Sequence, residues 1–428
     1  MSIAFPEAFL HYIWKLKLFN FSNLTTTEQE SIEILKVGTH NHHAGPDFSN
    51  ARIRIGNTLW AGSVEIHKKS SDWTKHQHQQ DAAYQNTILH VVYEYDAPAY
   101  RPTGNSPIPT LVLKNRIPQQ YLQRYWQLLN NNSWVACAAQ FPKLPAINSL
   151  WLDRMAAERL EYKYKAIKLE LEQTQYNWET VFYRFLARSF GLQQNAAPFE
   201  ALAKSLPLLI LAKHKQQLHQ LEALLFGQAG FLTAESKDNY TKALQKEYRF
   251  LQKKYQLTGL LASSWKFGRM RPANFPTIRL AQFAALIHQS KHLFSKILET
   301  EQVQALRAMF SIQLEGYWNT HYQLGESSIF RRKQLGRRSV DLILINTIAP
   351  FLFSYGRYKG DERYQDRALQ LLESLQPEQN ALVNTWKSLG LVAKNAQDSQ
   401  ALIQLKKTYC DAKRCLDCAI GHQILKHP

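Results

Sequence analysis

Residues 47–68 carry an alternation of apolar and charged side chains that constrains the fold of this chain more than any other feature. Residues 51–55 read Ala-Arg-Ile-Arg-Ile, so every second side chain is apolar, as in a strand with one buried face. The Gly56-Asn57 pair that follows is typical of a tight hairpin turn. The alternation then resumes as far as Lys68. The segment therefore predicts an antiparallel β-hairpin with one apolar and one polar face.

Other β-prone and amphipathic segments flank this hairpin within the first 120 residues. The run TILHVVYEY has the β-branched and aromatic composition of a central, buried strand. Five segments complete the N-terminal order, namely a helix over 6–19, a strand over 32–37, a helix over 70–85, and strands over 87–95 and 110–113. This order of helix, three strands, helix and strand predicts an α/β domain over residues 1–120, with a mixed sheet flanked by helices.

The composition changes from Tyr121 onwards, where glycine becomes sparse and long segments are rich in Leu, Ala, Gln, Lys and Trp. Such segments predict helices over most of this part, for example over 178–190 and 198–225. We find no fixed repeat period, which argues against a helical solenoid. The sequence therefore predicts a linker over 121–146 and one large all-α domain over 147–428.

The chain has a formal net charge of +18, which is unevenly distributed. Residues 1–120 hold 11 Lys+Arg and 10 Asp+Glu, so nearly all of the basic excess lies in the predicted helical domain. A basic surface beside a metal-dependent site suits a polyanion, and DNA or RNA is the predicted partner. Solubility alone would explain the charge equally well.

Neither a targeting segment nor a membrane span is predicted. The N-terminal sequence lacks the basic start, continuous apolar run and small-residue cleavage site of a signal peptide. The most apolar stretch, residues 342–353, is too short to span a bilayer and contains Pro350. These features predict a cytoplasmic protein that does not bind membranes.

Two acids and a histidine in the hairpin are placed for metal-dependent chemistry. Asp47 begins one strand, and Glu65 and His67 lie two residues apart on the polar face of the other. Phosphodiester hydrolysis needs a divalent cation that polarises the phosphate and generates hydroxide. Mg²⁺ prefers few carboxylates and keeps several waters. We therefore expect Asp47 and Glu65 to bind Mg²⁺ or Mn²⁺, with His67 orienting or deprotonating the attacking water.

The element order and these residues resemble the PD-(D/E)XK nuclease superfamily. Its PD motif corresponds to the dipeptide that ends at Asp47, and its acid-x-lysine motif to the triplet from Glu65 to His67, with histidine in place of lysine. Glu7 matches an additional acid often found on the first helix, and Asp81 lies on the predicted helix that often supplies a further polar residue. The resemblance implies a restriction-endonuclease-like core in which these five residues are catalytic. For Asp81, a cap of a neighbouring loop is an equally good interpretation.

A second resemblance covers nearly the whole chain. The phrases GPDF, G-x-VEIH, SSDW, H-x-H-x-x-D-x-x-Y and LHVVYE, followed by ALLFGQAGFL, RPANFP and a closing C-x4-C-x2-C, are similar to those of an uncharacterised bacterial family. This family implies no established activity, so the functional interpretation depends on the nuclease-like core.

Three functions remain open. The first is a metal-dependent nuclease that hydrolyses phosphodiester bonds in DNA or RNA, and the second is a catalytically degenerate nuclease fold that binds nucleic acid or assembles with other proteins. The third is a zinc hydrolase built on a group of histidines, since imidazole suits Zn²⁺ or Mn²⁺. That group consists of His40, His42, His43, His67, His76, His78 and His90. His76 and His78 lie two positions apart on the predicted helix, so we expect only one of them to face the site.

Three of the four cysteines lie within nine positions near the C-terminus: Cys410, Cys415 and Cys418. Without an export signal, a metal is favoured over structural disulfides, although buried free thiols are an alternative. His422 would complete a Cys₃His zinc site, or Cys137 would be a remote fourth ligand. Some nucleases of the superfamily named above are similar in holding an iron–sulfur cluster with one remote and three C-terminal cysteines. Zinc or an iron–sulfur cluster is therefore predicted here.

Two basic segments of the helical part are predicted to contact nucleic acid. Arginine-rich loops bind phosphates through charge and bidentate hydrogen bonds, and cations mixed with aromatic residues are typical of surfaces that bind single strands. A solvated charged surface is the alternative interpretation. The predicted contacts are Lys266, Arg269, Arg271, Arg331, Arg332, Lys333, Arg337 and Arg338, the first three around Trp265 and Phe267.

Overall fold

The computed structural model describes residues 5–41, 43–143 and 149–426, and its chain divides into two compact units. The first, which we call the sheet unit, comprises Met1–Ile147 together with Leu405–Pro428. The second, the helical unit, comprises Asn148–Gln404. The structure therefore has an α/β N-terminal region followed by a largely helical one, as the sequence predicts.

The sheet unit contains six strands and three helices before residue 143. These are α1 (Glu7–Lys15), β1 (Ile32–Lys36), β2 (Thr39–His40), β3 (Phe48–Ile55), β4 (Thr58–Lys69), α2 (Asp72–Lys75), β5 (Thr87–Glu94), β6 (Thr110–Val112) and α3 (Gln119–Asn130). Single 3₁₀ segments lie at His78–Gln80, Ala82–Tyr84 and Ala138–Lys143.

The six strands form one mixed sheet in the order β1-β3-β4-β5-β6, with β2 paired to β3. β1, β3 and β4 are antiparallel neighbours, whereas β4–β5 and β5–β6 are parallel pairs. Because parallel neighbours cannot be joined by a tight turn, residues 70–86 must cross over from the end of β4 to the start of β5. This crossover covers the face of β4 that carries Glu65 and His67.

The predicted hairpin is confirmed. β3 and β4 pair in antiparallel register around Gly56, whose φ of +56° suits the turn. The apolar side chains of β3 are buried while Arg52 and Arg54 are exposed. In β4, however, the polar face is also buried, with Glu65 5% and His67 1% exposed. Two helices, α1 and α2 of the crossover, contact β4, and residues 64–67 of the strand are buried.

The predicted helix over 70–85 is wrong in most of its length. α2 ends at Lys75, and Gln77 has a left-handed conformation with φ 62° that no continuous helix accommodates. Two 3₁₀ turns then carry the chain to β5. Buried Trp73 and Tyr84 belong to one small apolar cluster, which holds the irregular crossover against the sheet.

The predicted linker over 121–146 and the continuous helical domain to residue 428 also need correction. α3 occupies residues 121–130 of the expected linker and belongs to the sheet unit. After a π-helical segment at Leu405–Cys410 and a 3₁₀ turn at Cys415–Asp417, the chain forms α18 (Ala419–Lys426), which contacts α3. The Arg124 guanidinium donates a 3.3 Å hydrogen bond to the Leu425 carbonyl. The C-terminal segment therefore belongs to the sheet unit.

The helical unit consists of fourteen α-helices and two small two-stranded sheets in its described residues. Its helices are α4 (Ser149–Gln173), α5 (Trp178–Phe190), α6 (Ala196–Ser205), α7 (Leu208–Lys213), α8 (Leu218–Gln228), α9 (Asn239–Tyr255), α10 (Pro276–Gln289), α11 (Leu293–Glu299), α12 (Val303–Met309), α13 (Arg337–Ile343), α14 (Ala349–Lys359), α15 (Glu362–Ser374), α16 (Ala381–Ser388) and α17 (Ala396–Gln404). The strands pair as β7 (Gln313–Leu314) with β10 (Lys333–Gln334) and β8 (His321–Gln323) with β9 (Glu326–Ser327).

The single helix predicted over 198–225 is divided into α6, α7 and α8. Pro207 precedes α7, and Leu206 before it is extended with φ −122° and ψ 92°, as expected of a residue that precedes proline. The motif ALLFGQAGFL falls largely on α8, where a Cβ on Gly227 would lie 2.1 Å from the Tyr248 ring. Glycine therefore allows α9 to approach α8 closely.

The most apolar stretch belongs to a longer helical segment than predicted. Arg337–Lys359 is helical over 23 residues, through α13, a π-helical segment at Leu344–Ile348 and α14. By length and composition it could cross a membrane, which corrects the prediction that the stretch is too short. However, 72% of its apolar window is buried within the protein, as in the core helix of a globular protein.

Candidate metal centre

Asp47 and Glu65 meet where β3 begins beside β4. The backbone N–H of Asp47 donates a 3.0 Å hydrogen bond to the Oε2 of Glu65, and the backbone N–H of Ile66 donates a 2.9 Å bond to the Oδ2 of Asp47. Each carboxylate is thus fixed by the backbone of the neighbouring strand. The antiparallel register places the two predicted metal-binding acids side by side.

α1 adds two titratable groups to this pair. Glu7 and His11 lie one helical turn apart, and α1 packs against β4. The Nε2 of His11 lies 3.2 Å from the Oδ2 of Asp47. Burial favours the neutral imidazole, but the hydrogen bond and charge of Asp47 outweigh it and raise the pKa of His11. The contact with Asp47 therefore favours the protonated, positively charged form of His11 beside the acids.

Two carboxyl groups in this cluster, those of Glu7 and Glu65, resist ionisation. Burial, followed by the negative charge of Asp47, raises the pKa of Glu7 from 4.5 to about 7. Burial also raises the pKa of Glu65, against the hydrogen bond from His78. Since a cation would compensate the repulsion between these carboxylates, the cluster has the electrostatic character of a metal site.

Two histidines contact the other oxygen of Glu65, and a third lies beside them. The Nε2 of His67 and the Nε2 of His78 lie 3.5 and 3.3 Å from Oε1. The Nδ1 of His76 lies 3.2 Å from the Nε2 of His67. Ligand atoms of the three histidines all lie within 4.8 Å of one another. The prediction that His76 and His78 face different ways is therefore wrong.

The left-handed turn at Gln77 explains this convergence. On a continuous helix His76 and His78 would diverge, but α2 ends before them and the turn redirects the chain between them. The His78 ring stacks on Tyr84 with 3.9 Å between the ring centroids. His76 remains exposed, so the cluster has one side open to solvent.

The imidazole of His67 is kept in its neutral form. Its Nδ1 lies 2.9 Å from the Nε2 of His90, on the adjacent parallel strand β5. Burial, followed by the proximity of His90 and the other histidines, lowers the pKa of His67 to about 2. Burial likewise lowers the pKa of His90 to about 3. A neutral imidazole with a fixed orientation suits a metal ligand better than it suits a general base.

The other predicted residues of the sheet unit that the structure describes are not among the close contacts of Glu65, although the His40 ring lies 5.4 Å from that of His11. Asp81 is exposed, and its carboxylate accepts a 2.9 Å hydrogen bond from the backbone N–H of Ala83, which matches the loop-cap interpretation. His40 stacks on Phe48, and His43 is exposed. His42 lies outside the described residues.

The four cysteines gather in the sheet unit and are free thiols. Burial raises the pKa of Cys137 to about 12 and that of Cys415 to about 11, and in every pair among the four the two thiols lie close enough to interact electrostatically. The Nδ1 of His422 instead lies 2.9 Å from the Tyr12 hydroxyl. This arrangement favours Cys137 over His422 as the fourth ligand of the predicted cysteine site.

Most of the basic residues predicted to contact nucleic acid are exposed on the helical unit, but Lys333 is not. It is 4% exposed, its Nζ donates to the Trp318 carbonyl, and it lies 4.1 Å from the centroid of the Tyr322 ring. The aromatic residues expected beside Lys266 are also internal, since Trp265 is 6% exposed and donates to the Ala229 carbonyl. Arg269 and Arg271 line a cavity of about 290 Å³.

Sequence reasoning missed His11 and the joint placement of His76 and His78. For His11 the signal was present, because it follows Glu7 by four positions on a predicted helix. For the other two, no local pattern indicated the left-handed turn at Gln77.

Comparison with known proteins assigns a family but no activity. No curated protein and no solved structure matches the chain. A family model described as "Protein of unknown function (DUF2851)" matches residues 7–381, a span that contains the acid pair and the histidine cluster. The chain therefore belongs to the DUF2851 family, in agreement with the resemblance of its motifs to an uncharacterised family.

Proposed function

We propose that the sheet unit is a metal-dependent phosphodiesterase with a restriction-endonuclease-like core, and that it cleaves DNA or RNA. The observation that carries this proposal is the reciprocal pairing of Asp47 and Glu65 through the backbone of neighbouring strands. The order of α1, three antiparallel strands, a crossover that contains α2, and parallel β5 supports it, because the superfamily core has the same order.

In this proposal Asp47 and Glu65 would hold Mg²⁺ or Mn²⁺, which would supply polarisation of a phosphodiester and activation of water. Burial and the charges of both acids raise the pKa of Glu7, so Glu7 is placed to release a proton when a cation binds beside it. His11 supplies the positive charge that neutral His67 lacks in the position of the usual lysine. Exposed Arg331, and the other exposed arginines of the helical unit, favour a polyanionic substrate.

The test is cleavage of labelled single- and double-stranded DNA and RNA in Mg²⁺ or Mn²⁺. Glu65→Gln and Asp47→Asn keep the side-chain shape and should reduce cleavage by about 100-fold or more, as loss of a transition-state contact does. Glu94→Gln is the matched control, since Glu94 is an exposed acid on β5 that pairs with Lys114. Cleavage that persists in both active-site variants would exclude the proposed site.

The second candidate is a catalytically degenerate fold that binds nucleic acid or assembles with partners. The burial and neutrality of His67 in the lysine position favour it. Wild-type protein that does not cleave but binds nucleic acid in a salt-sensitive manner would support this function. Absence of both cleavage and binding would leave solubility as the role of the basic surface.

For the cysteines we propose one cofactor bound by Cys137, Cys410, Cys415 and Cys418, either Zn²⁺ or an iron–sulfur cluster. The gathering of every cysteine of the chain in one unit supports this site. Thiolates are soft ligands that suit both groups.

A further inference from the structure

The cluster around Glu65 differs from a site for Mg²⁺ alone. The atoms that approach the Oε1 of Glu65 are imidazole nitrogens of His67 and His78. We propose that His67, His76 and His78, completed by the Oε1 of Glu65, form a site for a transition-metal ion of the Zn²⁺ class, which shares Glu65 with the proposed Mg²⁺ site. This inference is independent of nuclease activity, since metal binding is measured directly.

Three of the six ligand–ligand distances in the cluster match those of a tetrahedral ion. Zn²⁺ lies about 2.0–2.1 Å from nitrogen or oxygen ligands, so adjacent ligand atoms in a tetrahedron are about 3.3 Å apart. Three contacts in the cluster measure 3.2, 3.3 and 3.5 Å: His76 to His67, His78 to Glu65, and His67 to Glu65. These three contacts connect the four side chains in the order His76, His67, Glu65 and His78.

The second layer of the cluster orients two of the ligands. His90 contacts His67 through Nδ1, so the Nε2 of His67 is the nitrogen that faces the cluster. The Oε2 of Glu65 accepts a hydrogen bond from the backbone N–H of Asp47, so Oε1 is the oxygen that faces the histidines. Ligating histidines in metal sites have their second nitrogen fixed in this way, which sets their tautomer and direction.

In the tautomer in which His67 donates from Nδ1 to His90, the Nε2 of His67 carries a lone pair and lies 3.5 Å from the Oε1 of Glu65. Both atoms are then acceptors, and a cation between them would be bound by both. Because His76 is exposed, an ion can reach the cluster from solvent on the side of His76.

The ligand types select the metal. Imidazole nitrogen suits Zn²⁺, Cu²⁺, Ni²⁺ and Fe²⁺, whereas Mg²⁺ and Ca²⁺ prefer oxygen ligands and larger shells. Three histidines and one carboxylate therefore favour Zn²⁺ over Mg²⁺. An ion there would also join β4 to the crossover that contains α2, beside the proposed catalytic acids.

The experiment is a titration of full-length, EDTA-treated protein with Co²⁺, which reports its ligands through visible absorption. We expect one Co²⁺ per chain with the intense visible bands of tetrahedral nitrogen and oxygen coordination, in addition to any Co²⁺ at the cysteine site, which near-ultraviolet thiolate transitions identify. Zn²⁺ should displace it, and Mg²⁺ in large excess should not. Weak octahedral bands, only thiolate-type spectra, or displacement by Mg²⁺ would overturn the inference.

Variants identify the ligands. His76→Gln and His78→Gln should each weaken Co²⁺ binding by about 10-fold or more, since loss of even a supporting residue commonly costs 10–100-fold. His43→Gln is the control, because His43 is an exposed histidine of the same unit. Unchanged binding in the two variants would overturn the site. Because His76 is exposed, its replacement should preserve the fold, which circular dichroism verifies. Loss of Co²⁺ binding with retained Mg²⁺-dependent cleavage would separate this site from the proposed function.

Discussion

The backbone N–H of Asp47 donates a 3.0 Å hydrogen bond to the Oε2 of Glu65, and Asp47 in turn accepts a hydrogen bond from the residue after Glu65. This arrangement gives Asp47 two separable roles, one structural and one electrostatic. An amide side chain can accept the backbone hydrogen bond but carries no charge. The two roles therefore respond differently to substitution.

We expect Asp47→Asn to change the free energy of unfolding by less than about 1 kcal/mol while abolishing metal-dependent cleavage. Asp47→Ala should cost about 1–3 kcal/mol in addition, because it leaves the Ile66 N–H without its acceptor. Urea unfolding and the cleavage assay measure the two effects. Equal destabilisation by both variants would contradict the structural role.

Glu7 should make the stability of the metal-free protein depend on pH. Its pKa is raised from 4.5 to about 7, so between these values the unfolded chain loses a proton that the folded chain keeps. Stability from this group is therefore full below pH 4.5 and is lost as the pH rises through 7. Glu7→Gln should be more favourable, relative to wild type, at pH 8 than at pH 5, by about 1–2 kcal/mol after allowance for solvent screening.

Urea unfolding in EDTA at the two pH values measures this difference. The control is Glu33→Gln on β1, an exposed acid that pairs with Arg54. A Glu7→Gln effect that is the same at pH 5 and pH 8 would contradict the raised pKa.

The exposed arginines and buried Lys333 should affect different properties. Replacing Arg331, Arg332, Arg337 and Arg338 with alanine should weaken nucleic-acid binding and reduce the salt slope of log K by up to about 3–4, if each contacts one phosphate. Lys333→Met should instead lower thermal stability, because it removes the donor to Trp318 and the contact with Tyr322. Binding isotherms at several salt concentrations, together with thermal melts, distinguish the two effects. An unchanged salt slope in the arginine variant would exclude this surface.

The cysteines should bind a cofactor through Cys137 and not through His422. Cys137→Ser should lower the iron or zinc content of purified protein, whereas His422→Gln should retain it, since His422 contacts Tyr12. Elemental analysis and visible absorption of anaerobically purified protein measure the content and separate iron–sulfur from zinc. Full metal content in Cys137→Ser would show that Cys137 is not a ligand.

Gly227→Ala should destabilise the helical unit by about 1–3 kcal/mol, a cost typical of overpacking. A Cβ there would lie 2.1 Å from the Tyr248 ring, so α8 and α9 would have to separate. Gly336→Ala is the control, since a Cβ there meets no atom within 4 Å. Thermal melts of the two variants should differ clearly, and equal melting temperatures would contradict the close packing.

The sequence by itself determined the hairpin, the central strand β5 and the helical character of the second unit. Each of these depends on a local periodicity. In β3, for example, the alternation of apolar and polar side chains along 47–55 decides which face is buried. The pairing of Asp47 with Glu65 followed from the same hairpin. The family also followed from the sequence, since its motifs lie in a fixed order along the chain.

Only the tertiary structure decided which histidines meet. The left-handed conformation at Gln77 is stabilised by the packing of Trp73 and Tyr84 on the sheet, which depends on the parallel crossover from β4 to β5. The burial of His67 likewise follows from the central position of β4. The return of residues 405–428 to the sheet unit joins segments nearly 300 residues apart, such as Lys413 and Leu129. Local propensity carries no information about such contacts, because they form between surfaces that are complementary only after folding.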